Sequence, residues 1–120
     1  MNKSTFTAIK KYASIYKVAT LDPNGKILTL SGGYMVSMKK YEYVINNIDE
    51  LNIKTLKRYL TIAKKEGAYC GLWIDEQDNN KLYLDISKQF NNKIIATSYA
   101  QEQDQKAIFE NATKNCIYID

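Results

Sequence analysis

Two consecutive segments with alternating apolar and polar residues constrain the fold of this chain more than any other feature. The first reads Tyr69-Cys-Gly-Leu-Trp-Ile-Asp75 and the second reads Lys81-Leu-Tyr-Leu-Asp-Ile-Ser87, with a polar turn over residues 76–80 between them. Successive side chains of a β-strand point to opposite faces, so a period of two predicts a strand. Together the segments predict a β-hairpin.

The two faces of this hairpin differ in chemistry. One face is apolar and is predicted to point into the core: Cys70, Leu72, Ile74, Leu82, Leu84 and Ile86. The other carries large rings and polar groups: Tyr69, Gly71, Trp73, Asp75, Tyr83, Asp85 and Ser87. A five-residue turn pairs Trp73 with Tyr83 and Leu72 with Leu84. An odd shift would mix the faces, so the pattern predicts this register.

A helix is the second clear pattern, from Asp49 to Glu66. Its apolar residues recur at helical spacing: Leu56, Tyr59, Leu60 and Ala63. Gly67 is placed to end it in a left-handed cap. A weaker helix is predicted from Asn92 to Gln103, with Asn92 as its cap. Its predicted apolar side consists of Ile95, Ala96, Tyr99 and Ala100.

Short strands complete the predicted fold. They are placed at residues 13–21, 26–31, 34–38, 41–45, 106–110 and 115–119. Asp22-Pro-Asn-Gly25 is a strong turn signal between the first two, and the pair at 34–45 is alternatively one strand bent near Lys39-Lys40. A short helix over residues 5–12, capped by Ser4, is predicted ahead of them. The predicted class is α+β, a mainly antiparallel sheet covered on one face by two helices.

Length and composition predict one cytoplasmic domain. The chain has 120 residues, enough for one core. Its first residues carry no apolar run typical of a signal peptide, and no segment approaches the roughly 20 apolar residues of a membrane span. Cys70 and Cys116 both lie in apolar, strand-like surroundings, and are predicted to be buried free thiols.

Several kinds of active site are disfavoured. The chain has no histidine, so the commonest general base and metal ligand are missing. Two distant cysteines do not make a zinc site, phosphate-binding glycine motifs do not occur, and no metal or cofactor is predicted. An enzyme would depend on carboxylates, lysine or tyrosine. Asp75 and Asp85 share the aromatic face and form a conceivable acid–base pair, although the pattern favours solvated residues on the open side of a hairpin.

The rings of Tyr69, Trp73 and Tyr83 are the predicted recognition surface. Three interpretations remain open. The rings are packed inside this same domain, or they lie in an interface with a partner or a second copy, where Tyr and Trp are enriched. Alternatively, they stack on nucleic-acid bases, which contributes about 1–3 kcal/mol per base.

Basic residues supply the remaining candidate contacts. The net charge is +4, and Arg58 is the only arginine. Two basic clusters stand out. Lys39-Lys40 lies beside Tyr41 and Tyr43, and Lys57-Arg58 lies on the outward side of the helix predicted over residues 49–66. Each is either a solvated surface or a patch for phosphates or an acidic protein. One arginine argues against a sequence-reading DNA binder.

The second half of the chain resembles a group of small, uncharacterised phage and prophage proteins. The shared pattern is GxWxD at Gly71–Asp75, YxDxS at Tyr83–Ser87, an alanine-spaced helix with Ala96 and Ala100, and QxAI at Gln105–Ile108. Small phage accessory proteins often antagonise bacterial immunity. Some block CRISPR effector complexes, and others, such as the Thoeris anti-defence proteins, sequester nucleotide signals. The resemblance assigns no ligand residues.

These patterns lead to one functional hypothesis and two alternatives. The chain is predicted to be a non-enzymatic phage or mobile-element protein that binds and inhibits a host defence protein or ribonucleoprotein, without a membrane partner. The first alternative sequesters a nucleotide signal or oligonucleotide on Tyr69, Trp73 and Tyr83, with Arg58 and nearby lysines at the phosphates. The second is a nucleotide-processing enzyme that uses carboxylates. A homodimer through the aromatic face is also open.

Overall fold

The computed structural model describes residues 1–119, which form three α-helices and eight β-strands. The helices are α1 (Lys3–Tyr16), α2 (Ile53–Glu66) and α3 (Lys93–Glu102). The strands are β1 (Val18–Leu21), β2 (Ile27–Leu28), β3 (Tyr34–Ser37), β4 (Tyr43–Ile45), β5 (Tyr69–Asp75), β6 (Lys81–Phe90), β7 (Ala107–Glu110) and β8 (Asn115–Tyr118). The predicted α+β class is confirmed, whereas the predicted cover of one face by two helices is not, because α1 also packs on the sheet.

The central hairpin has the predicted register. Trp73 pairs with Tyr83 and Leu72 with Leu84. The sheet is antiparallel, in the order β2-β1-β5-β6-β3-β7-β8, and β4 also pairs with β6. Because β6 is the longest strand, its first half borders β4 and its second half borders β3. The hairpin is therefore the middle of the sheet.

The N-terminal segment differs from its prediction. Residues 13–16 continue α1, and the strand begins only at Val18. The cap is Asn2 instead of Ser4, since the Asn2 Oδ1 accepts from the Thr5 N–H at 2.8 Å. Burial of Ile9 and Ala13, four residues apart, holds the helix against the sheet. Lys17 ends it with a left-handed φ of 67°.

Two other boundaries shift for local reasons. Helix α2 begins at Ile53 because the Asn52 side chain caps it, and residues 48–50 form a separate 3₁₀ turn. Between β3 and β4 the chain forms a 3₁₀ turn at Lys39–Tyr41, so this region is two strands and not one bent strand. The backbone of Tyr41, the last residue of this turn, is held in place because the Tyr59 hydroxyl donates to the Tyr41 carbonyl at 2.8 Å. The predicted caps at Gly67 and Asn92 are both present.

The core lies on the predicted apolar face of the hairpin. The six inward residues of β5 and β6 pack with α1 and α2 in one buried cluster. A smaller cluster joins α3 to β3 and β7 through Val36, Ala96, Ala100 and Ile108. In α3 only the alanines are buried, whereas Ile94 and Ile95 are exposed, so its predicted apolar side is partly wrong. No helix within residues 1–119 has the length and apolar character that crossing a membrane requires.

Candidate functional site: the outer face of the sheet

The face of the sheet opposite the core carries a row of apolar side chains across four strands. Val18 of β1 pairs with Trp73, Trp73 with Tyr83, and Tyr83 with Val44 of β4. Cross-strand partners point to the same face, so these four residues form one line, here named the outer-face row. Only Trp73 and Tyr83 were predicted from the sequence.

The outer-face row is accessible. Val18 is 52% exposed, Trp73 48% and Val44 46%. The Trp73 and Tyr83 rings contact each other, with centroids 5.2 Å apart and planes tilted by 37°. The domain therefore does not seal Trp73 inside itself, and internal packing is ruled out as the explanation for this ring. Exposed apolar residues arranged contiguously are typical of interaction surfaces.

A cavity of about 390 Å³ adjoins the row on the same face. It lies where β5 and β6 meet β1, β3, β7 and β8, and apolar or aromatic side chains form most of its wall: Val18, Met35, Tyr69, Trp73 and Phe109. Hydroxyl and amide groups contribute from Thr20, Ser37, Ser87 and Asn111. The volume falls within the range typical of small-molecule sites.

Asp85 is the charged residue in the wall of this cavity. The cavity is here named the Asp85 pocket. The Ser87 hydroxyl donates to its Oδ1 at 2.9 Å, and the Ser37 and Ser87 hydroxyl oxygens lie 3.2 Å apart. A Cβ atom at Gly71 would lie only 2.5 Å from Asp85 Oδ1. Glycine at that position thus leaves room for the Asp85 carboxyl group, which lies over the Gly71 backbone.

The surroundings of Asp85 disfavour its charged form. Burial is the main cause and raises the pKa of the carboxyl group above its ordinary value. The nearby Glu42 raises this pKa further, whereas the hydrogen bond from Ser87 lowers it. Within residues 1–119, no lysine or arginine forms an ion pair with Asp85. The carboxyl group therefore has hydroxyl partners but no counter-ion.

Replacing Asp85 by Asn is expected to stabilise the protein at neutral pH. Asparagine has the same shape and still accepts from Ser87, but it removes a charge whose burial is unfavourable. In the unfolded chain the Asp85 carboxyl has its ordinary pKa of 3.8, whereas in the folded protein this pKa is raised. The free energy of unfolding therefore falls as the pH rises from 3.8 through the folded-state pKa. The advantage of Asp85→Asn should therefore be absent below pH 3.8 and grow above it.

Urea unfolding at several pH values measures this effect. Asp75→Asn is the matched control, since Asp75 lies at the hairpin turn and its carboxyl accepts from the Gln77 N–H at 3.0 Å. This control should not gain stability. An Asp85→Asn protein that is less stable than the wild type at neutral pH would contradict the inferred charge penalty.

The conceivable carboxylate pair of Asp75 and Asp85 is not assembled. Asp75 pairs with Lys81, whereas Asp85 pairs with Gly71. Gly71, the partner of Asp85, lies four residues before Asp75 on β5, so the two carboxylate positions are about 13 Å apart along the strands. Catalytic carboxylate pairs in glycosidases lie about 5–9.5 Å apart, so this spacing does not suit direct cooperation on one bond.

The predicted basic residues lie away from the rings. Lys57 and Arg58 are exposed on α2, which packs against the inward face of the sheet. Lys39 pairs with Asp104, and Lys40 lies 4.0 Å from Glu66. None of the four lines the Asp85 pocket. The structure thus brings Tyr69, Trp73, Tyr83 and Asp85 together and leaves the cations elsewhere.

The two cysteines differ in environment. Cys70 is buried as predicted, and burial raises the pKa of its thiol. Cys116 is exposed, so its predicted burial is wrong, because it lies on the outer face of the end strand β8. Its partner Phe109 and the adjacent Met35 also reach the pocket. The alternation within residues 34–37 and 107–110 was the available signal for Met35 and Phe109, but it does not reveal which strands become neighbours.

Comparisons with protein-family models, with curated proteins and with solved structures each gave no match to this chain.

Proposed function

We propose that this chain is a non-enzymatic binding protein that uses the outer face of its sheet to hold a protein or ribonucleoprotein partner. The supporting observation is the outer-face row, an accessible apolar line that crosses four strands. Aromatic side chains on such a surface provide large contact area at low conformational cost. A sheet supports them rigidly, since both ring-bearing strands are central in it.

The proposed partner is a component of a bacterial defence system, which the chain would inhibit as a phage or mobile-element accessory protein inside the host cell. This part of the proposal rests on the sequence resemblance at residues 71–109. The proposed inhibition by binding requires a binding face, and the outer-face row supplies one. A non-enzymatic inhibitor needs only to occupy its target.

Sequestration of a nucleotide is the second candidate, and the contact between the Trp73 and Tyr83 rings favours it. A stacked base would still need cations near its phosphates. Arg58 and Lys57 lie on α2, on the other side of the sheet. The positions of these two predicted cations therefore favour a protein surface over a free nucleotide.

Capture from lysate of a defence-competent bacterium tests this proposal. Trp73→Ala is expected to reduce capture of the specific partner at least about tenfold, because a central aromatic anchor contributes about 2 kcal/mol or more. Tyr118→Ala is the matched control, since Tyr118 is an aromatic residue on β8 that is 80% exposed but outside the row. The control should capture the partner as the wild type does.

Two results would contradict the proposal in different ways. Equal capture by wild type and Trp73→Ala would exclude the outer-face row as the contact. Saturable quenching of Trp73 fluorescence by a nucleotide, lost in Tyr83→Ala, would favour the sequestration alternative. Because Trp73 is the only tryptophan, its emission reports on this face alone.

A further inference from the structure

The Asp85 pocket has an unusual charge pattern for this protein. The chain carries 17 lysine and arginine residues and a net charge of +4. Among the described residues that line the pocket, however, none is basic, and Asp85 is acidic. Glu42 stands immediately before β4, where Tyr43 pairs with Leu84, so a second carboxylate lies near Asp85. The pocket is a negative site on a positive protein.

Aromatic residues are neighbours of Asp85 on the outer face of the sheet. Trp73 lies two residues from Gly71, on which the carboxyl rests, and Tyr83 lies two residues before Asp85. Side chains two apart on a strand share one face and are neighbours there. Tyr69 lies on the other side of Gly71 and also lines the cavity. Tyr69 and Trp73 thus share the wall of the cavity with the carboxyl group, and Tyr83 is its neighbour along β6.

This combination is complementary to a cation with an apolar body. Rings attract a cation through their quadrupoles, and more strongly where the cation is desolvated. A carboxylate adds a charge-assisted hydrogen bond. The apolar walls and the volume of about 390 Å³ accommodate a hydrocarbon or aromatic portion. An anionic ligand would meet Asp85 with no compensating positive side chain.

We propose that the Asp85 pocket binds an organic ammonium group carried on an apolar or aromatic body, with the ammonium on the Asp85 carboxylate and the body against Trp73 and Met35. Binding supplies the counter-ion that Asp85 lacks in the free protein. The inference does not rest on the protein partner proposed above, because small molecules alone test it.

Three probes with one carbon skeleton isolate the contribution of charge: 4-phenylbutylamine, 4-phenylbutan-1-ol and 4-phenylbutanoate. Titrations followed by Trp73 fluorescence and by calorimetry at neutral pH give their dissociation constants. The amine is expected to bind at least about tenfold more tightly than the alcohol. The carboxylate is expected to show no saturable binding.

Asp85→Asn tests the residue assignment. This variant should bind the amine no more tightly than the alcohol, a loss of at least about tenfold. Since it keeps the shape of the side chain, its far-UV circular dichroism and unfolding midpoint confirm that it is folded. Tyr118→Ala, outside the pocket, is the control and should bind the amine as the wild type does.

A peptide probe identifies the source of the ammonium. N-acetyl-Phe-Lys-amide presents a phenyl ring and a lysine ammonium on a backbone. Tighter binding than 4-phenylbutylamine assigns the group to a lysine of a protein, and weaker binding assigns it to a free amine. Both results support an ammonium site.

Three results would overturn the inference. The first is equal affinity for the amine and the alcohol, and the second is undiminished amine binding by Asp85→Asn. The third is the absence of saturable amine binding up to about 10 mM. Capture of a protein partner is not a readout in any of these titrations. Failure here therefore leaves the proposed function standing, and failure of that proposal leaves the ammonium site standing.

Discussion

Replacing Leu84 by Asn is expected to abolish most of the stability of the fold, whereas the same change at the adjacent Tyr83 leaves the protein folded. Leu84 is 1% exposed and pairs with Leu72 and Tyr43 in the centre of the sheet. Removing a buried leucine side chain costs about 2–5 kcal/mol, and an amide without partners adds about 1–3 kcal/mol. Together these losses are about 3–8 kcal/mol, a large part of the stability of a typical domain, which is about 5–15 kcal/mol.

Tyr83 differs because it lies on the outer face. Its ring loses the contact with Trp73, a contribution of about 0.5–1.5 kcal/mol. The asparagine amide remains hydrated there, so no burial penalty is added. Urea unfolding followed by far-UV circular dichroism measures both variants. Similar losses at the two positions would show that the hairpin does not separate a core face from an open face.

This contrast also explains why the hairpin was the most predictable part of the fold. Its period of two fixes which side chains are buried, and the uniform faces fix the register of Trp73 with Tyr83. Helix α2 was predictable for a similar reason. Its buried stripe and its Gly67 cap are both local signals.

The N-terminal helix was less predictable because tertiary packing decides its length. Residues 13–21 are rich in Val, Ile, Tyr and Thr, which favour strands. Burial of Ala13 against the sheet extends the helix through residues that prefer strands. Helix α3 shows the converse, since Ile94 and Ile95 are exposed and two small alanines make the buried contact. Intrinsic preference is a weak guide wherever packing opposes it.

Only the part of the candidate site that lies within the central hairpin could be predicted from the sequence. The ring-bearing face, Asp85 and the glycine that makes room for it all lie within residues 69–87. Val18 and Phe109, which lie on β1 and β7, depend on the order of strands in the sheet. A pattern within one strand does not specify its neighbours. For the same reason, the nucleotide alternative combined Arg58 with the rings, whereas α2 carries Arg58 on the other side of the sheet.

The adjacent glycines 32 and 33 offer the second large effect, a matched pair with opposite expected outcomes. Gly33 has a φ of 76°, and a Cβ atom there would lie 2.8 Å from the Phe90 carbonyl oxygen. Alanine at that position takes a left-handed conformation, at about 1–2 kcal/mol, and forces backbone apart, at about 1–3 kcal/mol. Gly33→Ala is therefore expected to destabilise the protein by about 2–5 kcal/mol. A Cβ at Gly32 would meet nothing within 4 Å, so Gly32→Ala should be neutral or slightly stabilising.

The consequence extends beyond stability, because this glycine pair links the start of β3 to β6 and to the end of β7. The Gln89 side chain of β6 donates to the Gly32 carbonyl at 2.8 Å. The Asn111 side chain donates to the Gly32 carbonyl at 2.8 Å, and the Asn111 backbone N–H donates to the Gly33 carbonyl at 3.0 Å. Asn111 and Met35 both line the Asp85 pocket. Gly33→Ala should thus weaken binding of 4-phenylbutylamine as well as lower the urea midpoint, whereas Gly32→Ala should change neither. Equal stability of the two variants would mean that β3 can move away from Phe90 at little cost, and the wall of the pocket would then not be rigid.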